Sequence, residues 1–217
     1  MRSLLHIFLY SLFVSCCAYS TNANAHPHIF IDATLDIYVS DDGYVEKLEH
    51  IWDFDPIFTA GVVLDFDKNG NRKLDPEELE EITGTIKESI AEYDFFQSIV
   101  VDNNKISMSP PEPFKVSMHG KNLRISFENK PAEPLKFEQG KNYFFSITDP
   151  TFYVAVDFIK DVNIKVNNLP TYCQSSIVRP DSEKILSQSQ ATEDFFSDPM
   201  QALDLATKLA TRLEVQC

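Results

Sequence analysis

His26, Pro27 and His28 set two imidazoles on either side of a proline, and two neutral imidazoles that close together can share one transition-metal ion. The residues before them sharpen the chemistry. Arg2 is followed by an apolar run from Leu4 to Val14, then by small and polar residues up to Ala23-Asn24-Ala25, the pattern of a secretory leader with an A-x-A-like cleavage site. Cleavage there makes His26 the first residue, so that its α-amino group and its ring form a brace with the His28 ring. Pro27 has no N–H, and the copper and nickel chelate that uses the amides of residues two and three cannot form. An α-amino group titrates at about 7.7 to 8.0, so binding competes with a proton and strengthens with rising pH. A carboxylate such as Asp55 would complete the shell and favour zinc, nickel or cobalt over a purely soft-metal site. Two other readings stand beside this one. The histidines could simply begin an exposed strand, or Phe13-Val14-Ser15-Cys16 could act as a lipoprotein box that keeps Cys16 as a lipidated first residue.

A second group of residues suits a harder cation. Asp67 to Glu78 reads as a twelve-residue EF-hand loop, with side-chain oxygens at Asp67, Asn69, Asn71, Asp75 and Glu78 and the Lys73 carbonyl at the seventh position. Calcium takes six to eight oxygens, and a final glutamate can supply two of them. Arg72 occupies the sixth place, where glycine usually supplies a left-handed turn. With that departure the expected affinity is modest, on the order of 10⁻⁴ M. The alternative is a polar connector in which Asp75 and Glu78 only cap a helix.

Elements must position these residues. From Ile29 to Val39 apolar and polar residues alternate, which predicts a long strand with His28, Phe30 and Asp32 on one face. Ser40-Asp41-Asp42-Gly43 is hairpin chemistry, and a return strand to Phe54 brings Asp53 and Asp55 beside residues 28 to 32. The same count sets His50 opposite Thr34 or Leu35, about 20 Å from His28. His50 and His119, the latter just before Gly120, therefore read as structural. A short helix is expected over Ile57–Leu64. A second is expected from Pro76, with Asp75 and Glu78 as capping box and Leu79, Ile82, Ile86, Ile90 and Tyr93 on its apolar stripe. Beyond Phe95 come short strands: 98–101, 105–108, 114–118, 123–127, 143–148, 154–159, 162–166 and 173–178. Pro180 to Ser197 reads as a surface loop, followed by a helix from Pro199 whose inward residues run on to Leu213. The fold class is α+β: a β-sandwich-like, mainly antiparallel body with an inserted helix–loop–helix segment and a C-terminal helix. Residues 1–25 read as the leader and 26–217 as one β-rich domain, with the helical insertion over 55–94.

Composition narrows the partners. The net charge of −14, one unit more negative without Arg2, disfavours nucleic acid and anionic membrane surfaces. No run after the leader is long enough to span a bilayer, so no stable membrane insertion is expected. Cleavage also removes Cys16 and Cys17, leaving Cys173 and Cys217, which in an oxidising compartment read as one disulfide. No Ser-His-Asp or Cys-His arrangement is apparent, and no enzyme is expected.

Four features together resemble a known family: His26-Pro27-His28 after a leader, Trp52-Asp53-Phe54-Asp55 followed by a short helix and an EF-like loop, the run Thr148-Asp149-Pro150-Thr151-Phe152-Tyr153-Val154-Ala155, and a final cysteine. The chain is similar to the exported proteins grouped as domain-of-unknown-function family 1007, over nearly all of its length after the leader. Members are often labelled as periplasmic components of transport systems and are found encoded near nickel and cobalt permeases. The resemblance implies a periplasmic accessory role in transition-metal handling beside an inner-membrane permease, and it carries over to His26, His28, Asp55 and Asp149. Arg72 departs from the glycine usual in the family's acidic loop. Two rival classes remain: a calcium-stabilised interaction module without a transition metal, and a copper enzyme, which would need another histidine folded back near His26.

Overall fold

The structure, a computed structural model, describes residues 27–189 and 198–217. The leader and His26 lie outside the described residues. Strand β1 (Ile29–Val39) and strand β2 (Val45–Phe54) form the expected hairpin, with Leu35 opposite His50 and Asp32 opposite Asp53. Alternation explains the strand: Ile29, Ile31, Ala33, Leu35, Ile37 and Val39 are buried while the residues between them face outward. Gly43 closes the turn at φ +84°, a conformation that side chains resist.

Two helices follow the hairpin. Helix α1 (Pro56–Phe66) starts at Asp55, and helix α2 (Pro76–Ala91) starts at Asp75. Thr59 fastens α1 to the sheet: its hydroxyl donates to the Asp55 carbonyl at 2.9 Å and accepts the Leu123 N–H at 3.0 Å. Glu78 fastens α2, its carboxylate accepting the N–H groups of Lys68 at 2.9 Å and of Asp75 at 2.8 Å. Ile82 and Ile90 carry the buried stripe of α2.

The remaining strands are β3 (Gln97–Val101), β4 (Asn104–Lys105), β5 (Phe114–His119), β6 (Asn122–Asn129), β7 (Asn142–Ile147), β8 (Val154–Asp157), β9 (Ile164–Asn167), β10 (Gln174–Val178) and β11 (Arg212–Gln216). They divide into two sheets. The first has the order β5-β6-β2-β1-β8, with β9 continuing beyond β8 along the same edge of β1, and the second has the order β10-β11-β7-β3-β4. Pairing is antiparallel except for β8 and β9, which run parallel to β1. The fold is α+β, with the two sheets arranged as a sandwich around one contiguous apolar core. Trp52 from the first sheet stacks on Phe96, which leads into the second, at 6.1 Å.

Three expectations change. The C-terminal helix, α4 (Pro199–Leu209), stops short of Leu213, because Leu213 and Val215 alternate with Arg212, Glu214 and Gln216 and belong to a strand. The expected loop from Pro180 contains helix α3 (Ser182–Gln188), capped by the Asp181 carboxylate on the Lys184 N–H at 3.0 Å. Strand β4 ends at Lys105, and Met108, expected in the same strand, forms instead an isolated bridge with Pro131. Cys173 and Cys217 are joined by a disulfide. No helix among the described residues is long and apolar enough to cross a membrane.

Candidate metal site at the start of the first strand

Asp55 and Asp149 hold the first residues of β1 from opposite sides. Asp55, one residue beyond β2, accepts the Phe30 N–H on Oδ2 at 2.9 Å and returns its own N–H to the Phe30 carbonyl at 2.9 Å. Its other oxygen accepts from Ile57 and Phe58 at 2.8 and 2.9 Å, capping α1. On the far side, the Asp149 side chain is only 4% exposed. It accepts the N–H of Thr151 and the N–H of Val154, each at 2.8 Å, and the Thr151 hydroxyl at 2.7 Å. These bonds wrap residues 149–154 into a tight turn that holds Phe152 at φ +60°. The turn then presents the Tyr153 carbonyl to the N–H groups of His28 at 2.9 Å and Ile29 at 3.2 Å, and the Tyr153 ring lies 4.9 Å from the His28 ring.

The structure thus brings His28, Asp55 and Asp149 to one end of β1, while His26 lies outside the described residues. A carboxylate offers about four lone-pair positions, and most of those on Asp55 and Asp149 go to backbone N–H groups. Their chemistry is chiefly to fix the backbone that carries the His28 imidazole. Among the described residues, no three His, Cys, Asp or Glu side chains converge as a group that could hold a metal ion. Asp53, on the neighbouring face, is committed elsewhere. Arg124 grips it at 2.7 and 2.5 Å and is the main cause that holds its pKa below the ordinary value, with His119 at 3.3 Å adding to the effect. Sequence reasoning missed Tyr153 and Thr151, because their role depends on a parallel pairing between segments far apart in the chain.

The EF-like loop is also folded. Asp67 accepts the N–H groups of Asn71 at 3.0 Å and Arg72 at 2.6 Å. Arg72 takes the left-handed conformation, φ +64°, that the sixth position of such a loop requires. Asp75 Oδ2 collects the side-chain amides of Asn69 and Asn71 at 2.7 and 3.3 Å. Of the five expected side chains, Asn69, Asp75 and Glu78 border one small space, yet both Glu78 oxygens are turned to backbone N–H groups.

His50 stacks on Phe127, ring centroids 4.4 Å apart, and is 1% exposed. Burial pushes its pKa down from 6.5 to about 3. Gln97 is near enough to favour the charged ring slightly, although no hydrogen bond of normal geometry joins them. An unfolded histidine takes a proton near its ordinary value while the folded one stays neutral. The unfolded state then binds more protons as pH falls, and stability is lost between about 6.5 and 3 with a limiting slope of about 1.4 kcal/mol per pH unit. Urea unfolding at pH 7 and pH 5 should differ by about 2 kcal/mol from this group, and His50→Phe should remove that part of the difference. Equal pH dependence in the two proteins would refute the assignment.

The molecule so defined is a two-sheet α+β protein whose first strand is framed by two buried or capping aspartates. The family model described as "Protein of unknown function (DUF1007)" matches residues 11–217, and the chain belongs to that family. It is also similar to an "Uncharacterized protein" of Haemophilus influenzae (strain ATCC 51907 / DSM 11121 / KW20 / Rd), 28% identical over 205 residues that cover 89% of this chain and 91% of the relative.

Proposed function

We propose that this protein is an exported, periplasmic accessory protein of a transition-metal transport system, holding nickel, cobalt, zinc or copper at the start of β1 beside an inner-membrane permease. The observation that supports this reading is the bracing of residues 28–30 from both sides, by Asp55 at Phe30 and by the Asp149 turn through the Tyr153 carbonyl at His28 and Ile29. A rigid frame there keeps an imidazole-bearing end from moving, which lowers the ordering cost of binding. The His26 amine and ring and the His28 ring would be the principal donors. Asp55 and Asp149 would orient them and lend an oxygen where a lone pair remains. A bound ion would be held for transfer, with no reaction step at the site.

The test compares protein that begins at His26 with protein carrying one extra residue before it. Zinc and nickel titrations at pH 7.5 should show at least about tenfold weaker binding in the extended form, and weaker binding at pH 6 than at pH 8 in the native form as the amine protonates. Equal affinity in both forms removes the brace.

A second reading is favoured by Arg72, whose left-handed backbone completes the loop geometry of a calcium site without glycine. Calcium there would act as a structural ion. Thermal unfolding in calcium against chelator should then show a rise of a few degrees that Asp67→Ala abolishes; no calcium dependence would leave the loop as a connector between α1 and α2.

A further inference from the structure

We infer that the cleft between the end of α2, the start of β3 and the end of β6 binds a neutral, peptide-like ligand that carries an amide and an apolar group. The cleft has a volume of about 590 Å³, within the range of small-ligand sites. Ala91, Phe95, Met108 and Pro110 make its apolar walls, and Gln97 and Asn129 also line it.

Those last two side chains are the anomaly that carries the inference. Gln97 is 6% and Asn129 5% exposed. Oδ1 of Asn129 lacks any hydrogen-bond partner, and the Gln97 amide, although it stands beside the buried His50 ring, makes no hydrogen bond of normal geometry. Asn129 uses its N–H only for a long bond of 3.4 Å to the Ser109 carbonyl. Buried amides are nearly always paired, and an unpaired one costs stability unless a bound molecule satisfies it. Both stand at inward positions of their strands, where apolar residues would fill the space at no such cost. The backbone beside them is unusual too, with Asp94, Phe95 and Phe96 all at positive φ, a conformation rare in consecutive side-chain-bearing residues.

The donors and acceptors select the ligand class. Gln97 offers two N–H donors and one acceptor, and Asn129 a second acceptor, a set that can pair with both the C=O and the N–H of a peptide unit. The terminal torsions of Gln and Asn are broad and soft, so these groups can turn toward a guest at little cost. An anion is disfavoured: Glu88 and Asp94 stand at the mouth, and the one lysine there, Lys87, already lies 3.4 Å from Glu112. A sugar fits poorly, since its hydroxyls would face Ala91, Phe95, Met108 and Pro110.

Acetyl-leucine methylamide is a suitable probe, titrated into the protein and followed by backbone amide NMR. Saturable shifts are expected at Ala91, Phe95, Gln97 and Ser109 and not in β10. Gln97→Leu and Asn129→Leu should stay folded, equal or exceed the parent in stability, and bind at least about tenfold more weakly. Ala91→Trp, which fills the mouth without touching the interior, should abolish the shifts, and it decides the matter if the leucine variants fail to fold. Absence of saturable shifts in the parent, shifts undiminished in Ala91→Trp, or shifts from glucose with the peptide probe silent would overturn the assignment.

Discussion

Asp149→Ala should lower stability by about 4 kcal/mol and weaken transition-metal binding along with it. The carboxylate is buried and accepts from two backbone N–H groups and one hydroxyl. Hydrogen bonds to a charged group contribute about 1.5 to 3 kcal/mol each, and the donors left behind would be buried without partners. Phe152 would also lose what holds its left-handed backbone. The Tyr153 carbonyl would then release the N–H groups of His28 and Ile29, so a loss at the turn becomes a loss at the proposed metal donors. Denaturant unfolding and zinc titration on the same variant check both halves. A cost below about 1 kcal/mol would mean that the turn is held by other contacts.

Cys217→Ser carries a similar expected effect through a different mechanism. The disulfide closes a loop with a sequence separation of 44, and the chain-entropy model gives about 4 kcal/mol for a loop of that length. For a chain of this size that corresponds to a fall of about 10 °C in Tm. The loss should come from β11, which the disulfide ties to the start of β10 while the Cys217 N–H bonds to the Lys141 carbonyl at 3.0 Å. Calorimetry with and without reductant gives the check. Reductant should lower the parent to the level of the variant and leave the variant unchanged.

Local chemistry was readable in the sequence. The alternation from Ile29 to Val39, the Asp-Asp-Gly turn and the Asp75 to Glu78 capping box each specify an element through neighbours a few residues apart. The register of the first hairpin followed from counting, and it correctly separated His50 from His28. What could not be read was pairing across long separations. Ile29 meets Val154 in parallel, and nothing within either segment names the other. Asp55 was found because the hairpin delivers it. Asp149 was reached only through family resemblance, since its contacts depend on that parallel pairing. Leu213 was misread for a subtler reason: five residues after a helix can satisfy a period of two or of three and a half. Gln97 and Asn129 did carry a legible signal, as polar residues in the inward phase of Gln97-Ile99-Val101 and Ile125-Phe127-Asn129. Amides in that phase ask for a partner, and the sequence contains none at a fixed spacing.

The chain's earliest and latest strands both occupy interior places in their sheets, β1 between β2 and β8, and β11 between β10 and β7. The second sheet has a gap between β10 and β7 until residues 212–216 are in place. A tag or trimming at residues 212–217 would act on the keystone and not on a fringe.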